Sequence, residues 1–153
     1  MDGIDGVVGV GVDAVDVDRF RLALRRRPRL ADRLFTDGER ADVAATRDPA
    51  ERLAARFAAK EATMKALGSG LGSFRFHDVE VVRARGSSWA TQGAPSLRLS
   101  AAAAQLAGDR RIARWHVSLT HTPHVAIAMV VAEGTPDSTA VAEGGGPPDG
   151  DGA

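Results

Sequence analysis

One stretch constrains this chain more than any other. Asp48 is followed at once by Pro49 and three positions on by Glu51, and Gly68 closes the run, giving an N-cap, a first-turn proline, a capping acid and a C-terminal glycine. These signals predict a helix over about 49–67, roughly 28 Å long at about 1.5 Å per residue. At about 100° per residue, Leu53, Phe57, Lys60, Met64 and Leu67 fall within about 80° of one another and form the buried stripe. A lysine inside that stripe must snorkel past the core or find a partner. Glu61 and Lys65 fall on the neighbouring flank with Ala54, Ala58 and Ala62, a smooth surface against which something bulky can lie. The ordinary reading of Glu61 and Lys65 is an exposed i,i+4 ion pair, worth a few tenths of a kcal/mol. Against it stands the use of cations: Lys60 and Lys65 are the only lysines in a chain otherwise furnished with arginine, and both flank one glutamate.

Short elements precede this helix. Val7 to Val12 alternates valine with small residues, so a strand ending near Asp13 puts Val8, Val10, Val12 and Ala14 on one face and Val7, Gly9, Gly11 and Asp13 on the other. The two glycines strip side chains from the face of the aspartate, where another backbone, a neighbouring subunit or a ligand can approach. Asp16 or Asp18 caps a first helix that Pro28 ends, with Phe20, Leu22, Ala23 and Leu24 on its apolar face. Leu30 to Phe35 continues as a short helical piece, and Thr36 with Glu39 fits a capping box for another.

The glycines Gly68, Gly70 and Gly72 form the exit from the long helix. Phe74 to Arg85 then reads as a strand, with Val79 and Val81 on one face and Asp78 and Glu80 on the other. Gly86 to Ala94 is a long hairpin-like connection to a strand holding Leu97 and Leu99. Ser100 caps an alanine-rich helix that stops at Gly108. Trp115 to His121 and Val125 to Val131 alternate as two paired strands, joined by the turn at 120–124. His121 heads the apolar face at a strand end, where the ordinary reading is a satisfied core-edge histidine.

At 153 residues the chain suits one domain, read over 1–133, with an acidic Gly/Pro-rich tail at 134–153 expected to be disordered. The lack of cysteine excludes disulfides, thiolate catalysis and Cys-ligated zinc, leaving oxygen ligands or histidine for any metal. No apolar run approaches the roughly 20 residues of a membrane helix, and the start lacks a basic signal-peptide region, so a cytoplasmic protein without membrane attachment is expected. The tail holds Asp137, Glu143, Asp149 and Asp151 but no Lys or Arg, so a formally neutral chain has a body that is basic by four charges. That excess favours an anionic ligand or partner. No aromatic-interleaved basic stripe points to nucleic acid, and no Gly-Lys-Ser/Thr phosphate loop is present.

Taken together, the motifs resemble those of the phosphopantetheinyl transferases of the holo-acyl-carrier-protein synthase type. The resemblance is carried by Gly9-Val10-Gly11-Val12-Asp13, Leu34-Phe35-Thr36 with Glu39, Arg56-Phe57-Ala58-Ala59-Lys60-Glu61-Ala62 with Lys65-Ala66, Gly68-Ser69-Gly70-Leu71-Gly72 and Val117-Ser118-Leu119-Thr120-His121-Thr122. It spans about residues 7–133. It implies an α+β fold, a small antiparallel sheet packed with a long central helix in a single domain, assembled as a homotrimer. It also implies an enzyme of lipid and fatty acid biosynthesis that moves 4′-phosphopantetheine from coenzyme A to a serine of an apo acyl carrier protein and releases adenosine 3′,5′-bisphosphate.

By the same resemblance, Asp13, Glu61 and Lys65 are the catalytic group, and Asp13 and Glu61 hold Mg²⁺. Arg56, Lys65, Gly68, Gly70, His121 and Thr122 bind coenzyme A. Arg19, with Arg25, Arg26 and Arg27, docks an acidic helix of the carrier. The base that takes the serine proton is left between Glu61 and a metal-bound water. The connection from Gly86 to Ala94, with Trp89, is longer than the family minimum. Two other readings stand beside this one: the same chemistry on a polyketide or peptide carrier, and a non-catalytic module that binds an acidic partner.

Overall fold

At Gly9 and Gly11 the sheet meets helix backbone with no side chain of its own between them. The computed structural model describes residues 6–70, 72–83 and 93–135. In chain order it contains β1 (Val7–Asp16), α1 (Val17–Arg26), α2 (Leu30–Leu34), α3 (Asp37–Ala44), α4 (Pro49–Ala66), a 3₁₀ turn (Phe76–Asp78), β2 (Val79–Arg83), β3 (Pro95–Leu99), α5 (Ala101–Asp109), β4 (Ile112–His121) and β5 (Val125–Gly134). Strands β1, β5 and β4 form one antiparallel sheet in that order, and β2 pairs with β3 in a second. The α+β architecture read from the sequence is the observed one.

The long helix α4 packs on β1 and β5. A Cβ on Gly9 would lie 1.9 Å from the carbonyl oxygen of Ala66, and one on Gly11 would lie 1.8 Å from that of Ala62. Only glycine permits this approach. The bulky object against the alanine flank is therefore the sheet, and Ala54, Ala58 and Ala62 are fully buried there. The buried surface of α4 is wider than the single stripe predicted. From β5, Ala126, Ala128, Val130 and Ala132 complete this layer, also fully buried.

Lys60 finds partners. Its ammonium donates to the carbonyls of Phe76 at 2.8 Å and Val79 at 2.7 Å, and meets Glu39 Oε2 at 2.7 Å. These three acceptors use all three protons of the group. The same ammonium stands 5.4 Å from the centre of the Phe35 ring. Glu39 in turn accepts from the backbone N–H of Thr36 and Val81, so one buried pair joins α3, α4, the 3₁₀ turn and β2. Burial lowers the Lys60 pKa, and the charge of Glu39 opposes that shift.

The caps fall where expected, except that Ser100 stands at the N-cap of α5 without a side-chain capping bond. Asp16 caps α1, Thr36 and Glu39 make the capping box of α3, and the Asp48 carboxylate accepts from the N–H of Glu51 at the start of α4. The strand predicted over 74–85 is shorter in its described part, because the buried Asp78 carboxylate accepts from Arg75 N and closes a 3₁₀ turn, so β2 begins at Val79. Strand β1 runs to Asp16 rather than Asp13, since β5 offers it partners as far as Val125. Helix α5 continues one residue past Gly108. Strand β5 reaches Gly134; the tail from 136 onward, and the connection that carries Trp89, lie outside the described residues.

Candidate active site

Asp13 lies on the glycine face of β1, and so points towards α4 where Glu61 and Lys65 project. Lys65 Nζ donates to Asp13 Oδ1 at 2.9 Å and to the carbonyl of Val12 at 2.8 Å. The i,i+4 pair with Glu61 is replaced by this reach to β1. Asp13 and Glu61 line one open cleft with Asp16, Arg19, Phe20 and Phe57. Burial raises the Glu61 pKa, the Asp13 charge raises it further, and Lys65 pulls it back. A carboxylate held up by burial and by a neighbouring negative charge marks a locus where added positive charge is favoured.

Among the described residues, no cluster of three or more His, Cys, Asp or Glu converges on one point. Asp13 and Glu61 could offer two carboxylates of hard oxygen, with further ligands left to phosphate and water. That donor set fits Mg²⁺, which keeps several waters and takes one or two carboxylates alongside substrate phosphates.

Nearer the N-terminal end of α4 a second pocket is lined by Arg52, Arg56, Arg83, Leu119 and His121, with Val81 and Pro95. Arg56 is 6% exposed, and burial lowers its pKa despite an ion pair with Asp42 at 3.3 Å. Its Nε has no partner among the described residues. Three guanidinium groups and an imidazole around one concavity suit a phosphorylated ligand. From Arg56 to Glu61 is roughly 7.5 Å along the helix axis, so the two regions together can serve one extended molecule.

His121 Nδ1 lies 2.5 Å from Glu51 Oε1. Thr122 follows it in the turn, where its hydroxyl oxygen accepts from the N–H groups of His124 and Val125. Gly68 stands past the other end of α4 with φ +58°, and Gly70 has open space where a side chain would be. Neither glycine lines the two pockets described. Arg19 borders the Asp13–Glu61 cleft, while Arg25, Arg26 and Arg27 are exposed at the far end of α1. Arg21 makes two hydrogen bonds of 2.8 Å to Asp48, fixing α1 against the start of α4.

A family model described as the 4′-phosphopantetheinyl transferase superfamily matches residues 9–130. The chain belongs to that family. A holo-[acyl-carrier-protein] synthase of Frankia alni is 55% identical over 127 residues, 83% of this chain and 98% of the relative. The structure of the Mycobacterium tuberculosis acyl carrier protein synthase shares 34% identity at a TM-score of 0.62, covering 85% of this chain and 100% of that one. A holo-(acyl-carrier-protein) synthase from Bacillus anthracis, solved in complex with CoA (3′,5′-ADP), shares 29% identity at a TM-score of 0.67, over 85% of this chain and 99% of that one.

Glu51, Arg52 and Arg83 also line these concavities, and nothing in the sequence motifs marks them as pocket residues. Glu51 was a capping acid by its spacing, yet its side chain turns to His121. No local signal separates Arg52 or Arg83 from the other arginines, because the pocket forms only when β2 and β4 meet α4.

Proposed function

We infer that the chain transfers 4′-phosphopantetheine from coenzyme A to a serine hydroxyl of an apo acyl carrier protein, as a holo-[acyl-carrier-protein] synthase serving fatty acid synthesis. The observation that carries this reading is the cleft that joins Asp13 of β1 to Glu61 of α4, with Lys65 on Asp13 and an arginine–histidine pocket further along the same helix. In the transfer the serine oxygen bonds to the phosphorus that bears the pantetheine arm. The anhydride bond breaks, and adenosine 3′,5′-bisphosphate leaves.

Asp13 and Glu61 would hold Mg²⁺, and the metal would neutralise and polarise the pyrophosphate oxygens. Lys65 supplies a mobile ammonium beside this point, able to turn from Asp13 to the departing bisphosphate and neutralise it. Arg52, Arg56, Arg83 and His121 hold the nucleotide end. The serine proton would pass to Glu61 or to a water held by the metal. Arg19 brings the carrier-docking face of α1 to the border of the same cleft, and Arg25, Arg26 and Arg27 extend its positive charge.

The outer face of the large sheet exposes Val8, Val10, Val12, Ile127 and Met129, each between 39% and 51%. Contiguous apolar surface of this kind is covered in working proteins, and the proposed cover is two further copies of the chain in a homotrimer, tested by light scattering. No helix among the described residues is long and apolar enough to cross a membrane, and the proposed place of the reaction is the cytoplasm. Chromatography of a reaction with coenzyme A, Mg²⁺ and apo carrier tests the activity. Adenosine 3′,5′-bisphosphate should appear in equal amount to holo carrier, and release without carrier modification would contradict the transfer.

A further inference from the structure

Three histidines meet carboxylates among the described residues. His116 with Glu133 and His124 with Asp18 are surface pairs, the histidines 57% and 79% exposed. The pair His121–Glu51 is different: its side chains are 29% and 19% exposed, and Nδ1 is the ring atom engaged, at 2.5 Å. A carboxylate only accepts, so the neutral ring that meets Glu51 carries its proton on Nδ1 and keeps Nε2 free.

Both partners are held on rigid backbone. His121 pairs with Ala126 across the β4–β5 hairpin, whose turn is closed by the bond from Thr122 N to Val125 O. Glu51 sits in the first turn of α4, its own N–H bound by Asp48. His121 lines the pocket of Arg52, Arg56 and Arg83, whereas Glu51 lines the neighbouring concavity with Arg21, Arg47 and Asp48. The carboxylate thus grips the histidine from outside and adds no negative charge to the lining of an anion pocket.

We propose that Glu51 is a positioning residue: it fixes His121 in the Nδ1-protonated form and leaves Nε2 as an acceptor for a hydroxyl or amino donor at the nucleotide end of coenzyme A. The assignment rests on the reading of the arginine-lined pocket given above. Without Glu51, the ring is free to rotate and to exchange tautomers. With it, the pocket presents one nitrogen in one orientation before the ligand arrives, which reduces the ordering cost of binding.

The test combines ring ¹⁵N NMR of the ligand-free protein, with His121 neutral, and steady-state kinetics. Wild type should show the Nδ1–H tautomer. Glu51→Ala should shift His121 to the Nε2–H form and raise KM for coenzyme A roughly tenfold, equivalent to about 1.4 kcal/mol, with KM for the carrier unchanged. Alanine favours the helix, and Asp48 still caps through the backbone N–H, so the variant should fold. Glu51→Gln keeps an acceptor oxygen and should recover most of the affinity. An Nδ1–H tautomer that persists in Glu51→Ala, or an unaltered KM for coenzyme A, would overturn the proposal. The NMR experiment needs no substrate, so it decides the Glu51–His121 relation even if failure of wild-type transfer overturned the enzymatic reading.

Discussion

Lys65 of α4 places its ammonium 2.9 Å from Asp13 Oδ1 on β1, and this contact, not one to Glu61, joins the two halves of the cleft. The lysine side chain is 53% exposed, so its loss should cost little stability. Lys65→Ala is expected to lower kcat by roughly 10²-fold or more, in line with loss of one charge from a polar transition-state site. It should also tighten Mg²⁺ binding to the substrate-free protein, since a competing positive charge leaves Asp13. Calorimetric metal titration and single-turnover kinetics read the two effects, which have opposite signs. Unchanged kcat would remove Lys65 from the chemistry.

Lys60 should behave in the opposite manner. It and Glu39 are both 0% exposed in their side chains, and removing one leaves a charge buried without its partner. Lys60→Ala is expected to cost about 3–5 kcal/mol, a large share of a typical domain's stability. The double variant Lys60→Met, Glu39→Gln should recover a substantial part, as removal of both charges spares the desolvation penalty. Urea denaturation midpoints of the single and double variants check this.

The close approach of β1 to α4 gives a steric prediction. Gly11→Ala would place a Cβ 1.8 Å from a backbone oxygen, which cannot swing aside. A loss of about 3 kcal/mol or more is expected, at the upper end of overpacking costs. Gly108→Ala meets nothing within 4 Å and should be neutral or stabilise by up to about 1 kcal/mol. Thermal denaturation of the two variants provides the comparison.

Hydrogen bonds from Arg21 hold the Asp48 carboxyl at about 2, below its ordinary 3.8. A depressed carboxyl contributes stability above its unfolded value and loses it as pH falls through the folded value. Asp48→Asn keeps an N-cap but loses the ion pair. Wild type should therefore exceed Asp48→Asn near pH 6 by up to about 1 kcal/mol, a modest figure because both side chains are partly exposed. That advantage should vanish between pH 3.8 and about 2, as thermal melts across the range would show.

Helix α4 was legible because its determinants are local: Asp48, Pro49 and the apolar period all act within a few turns. Gly9 and Gly11 announced a close approach, but only the structure shows that the alanine flank of α4 fills it. Lys60 was legible as an anomaly and not as a solution, since its partners Glu39, Phe76 and Val79 come from three other elements. The site residues Asp13, Glu61 and His121 stood out through the family resemblance rather than through periodicity. Glu51 and Arg83 carried no such mark, because their importance arises from which strands close over the helix.

Intact-mass spectrometry of the carrier tests most directly whether phosphopantetheine is transferred through Asp13 and Glu61. Incubation of an apo acyl carrier protein with coenzyme A, Mg²⁺ and wild-type protein should add about 340 Da, the mass of the group that phosphoryl transfer would install. Folded Asp13→Asn and Glu61→Gln, and wild type with the metal chelated, should leave the carrier mass unchanged over the same period. An unmodified carrier with wild type would contradict the transfer, and full modification by either variant would contradict the part given to that carboxylate.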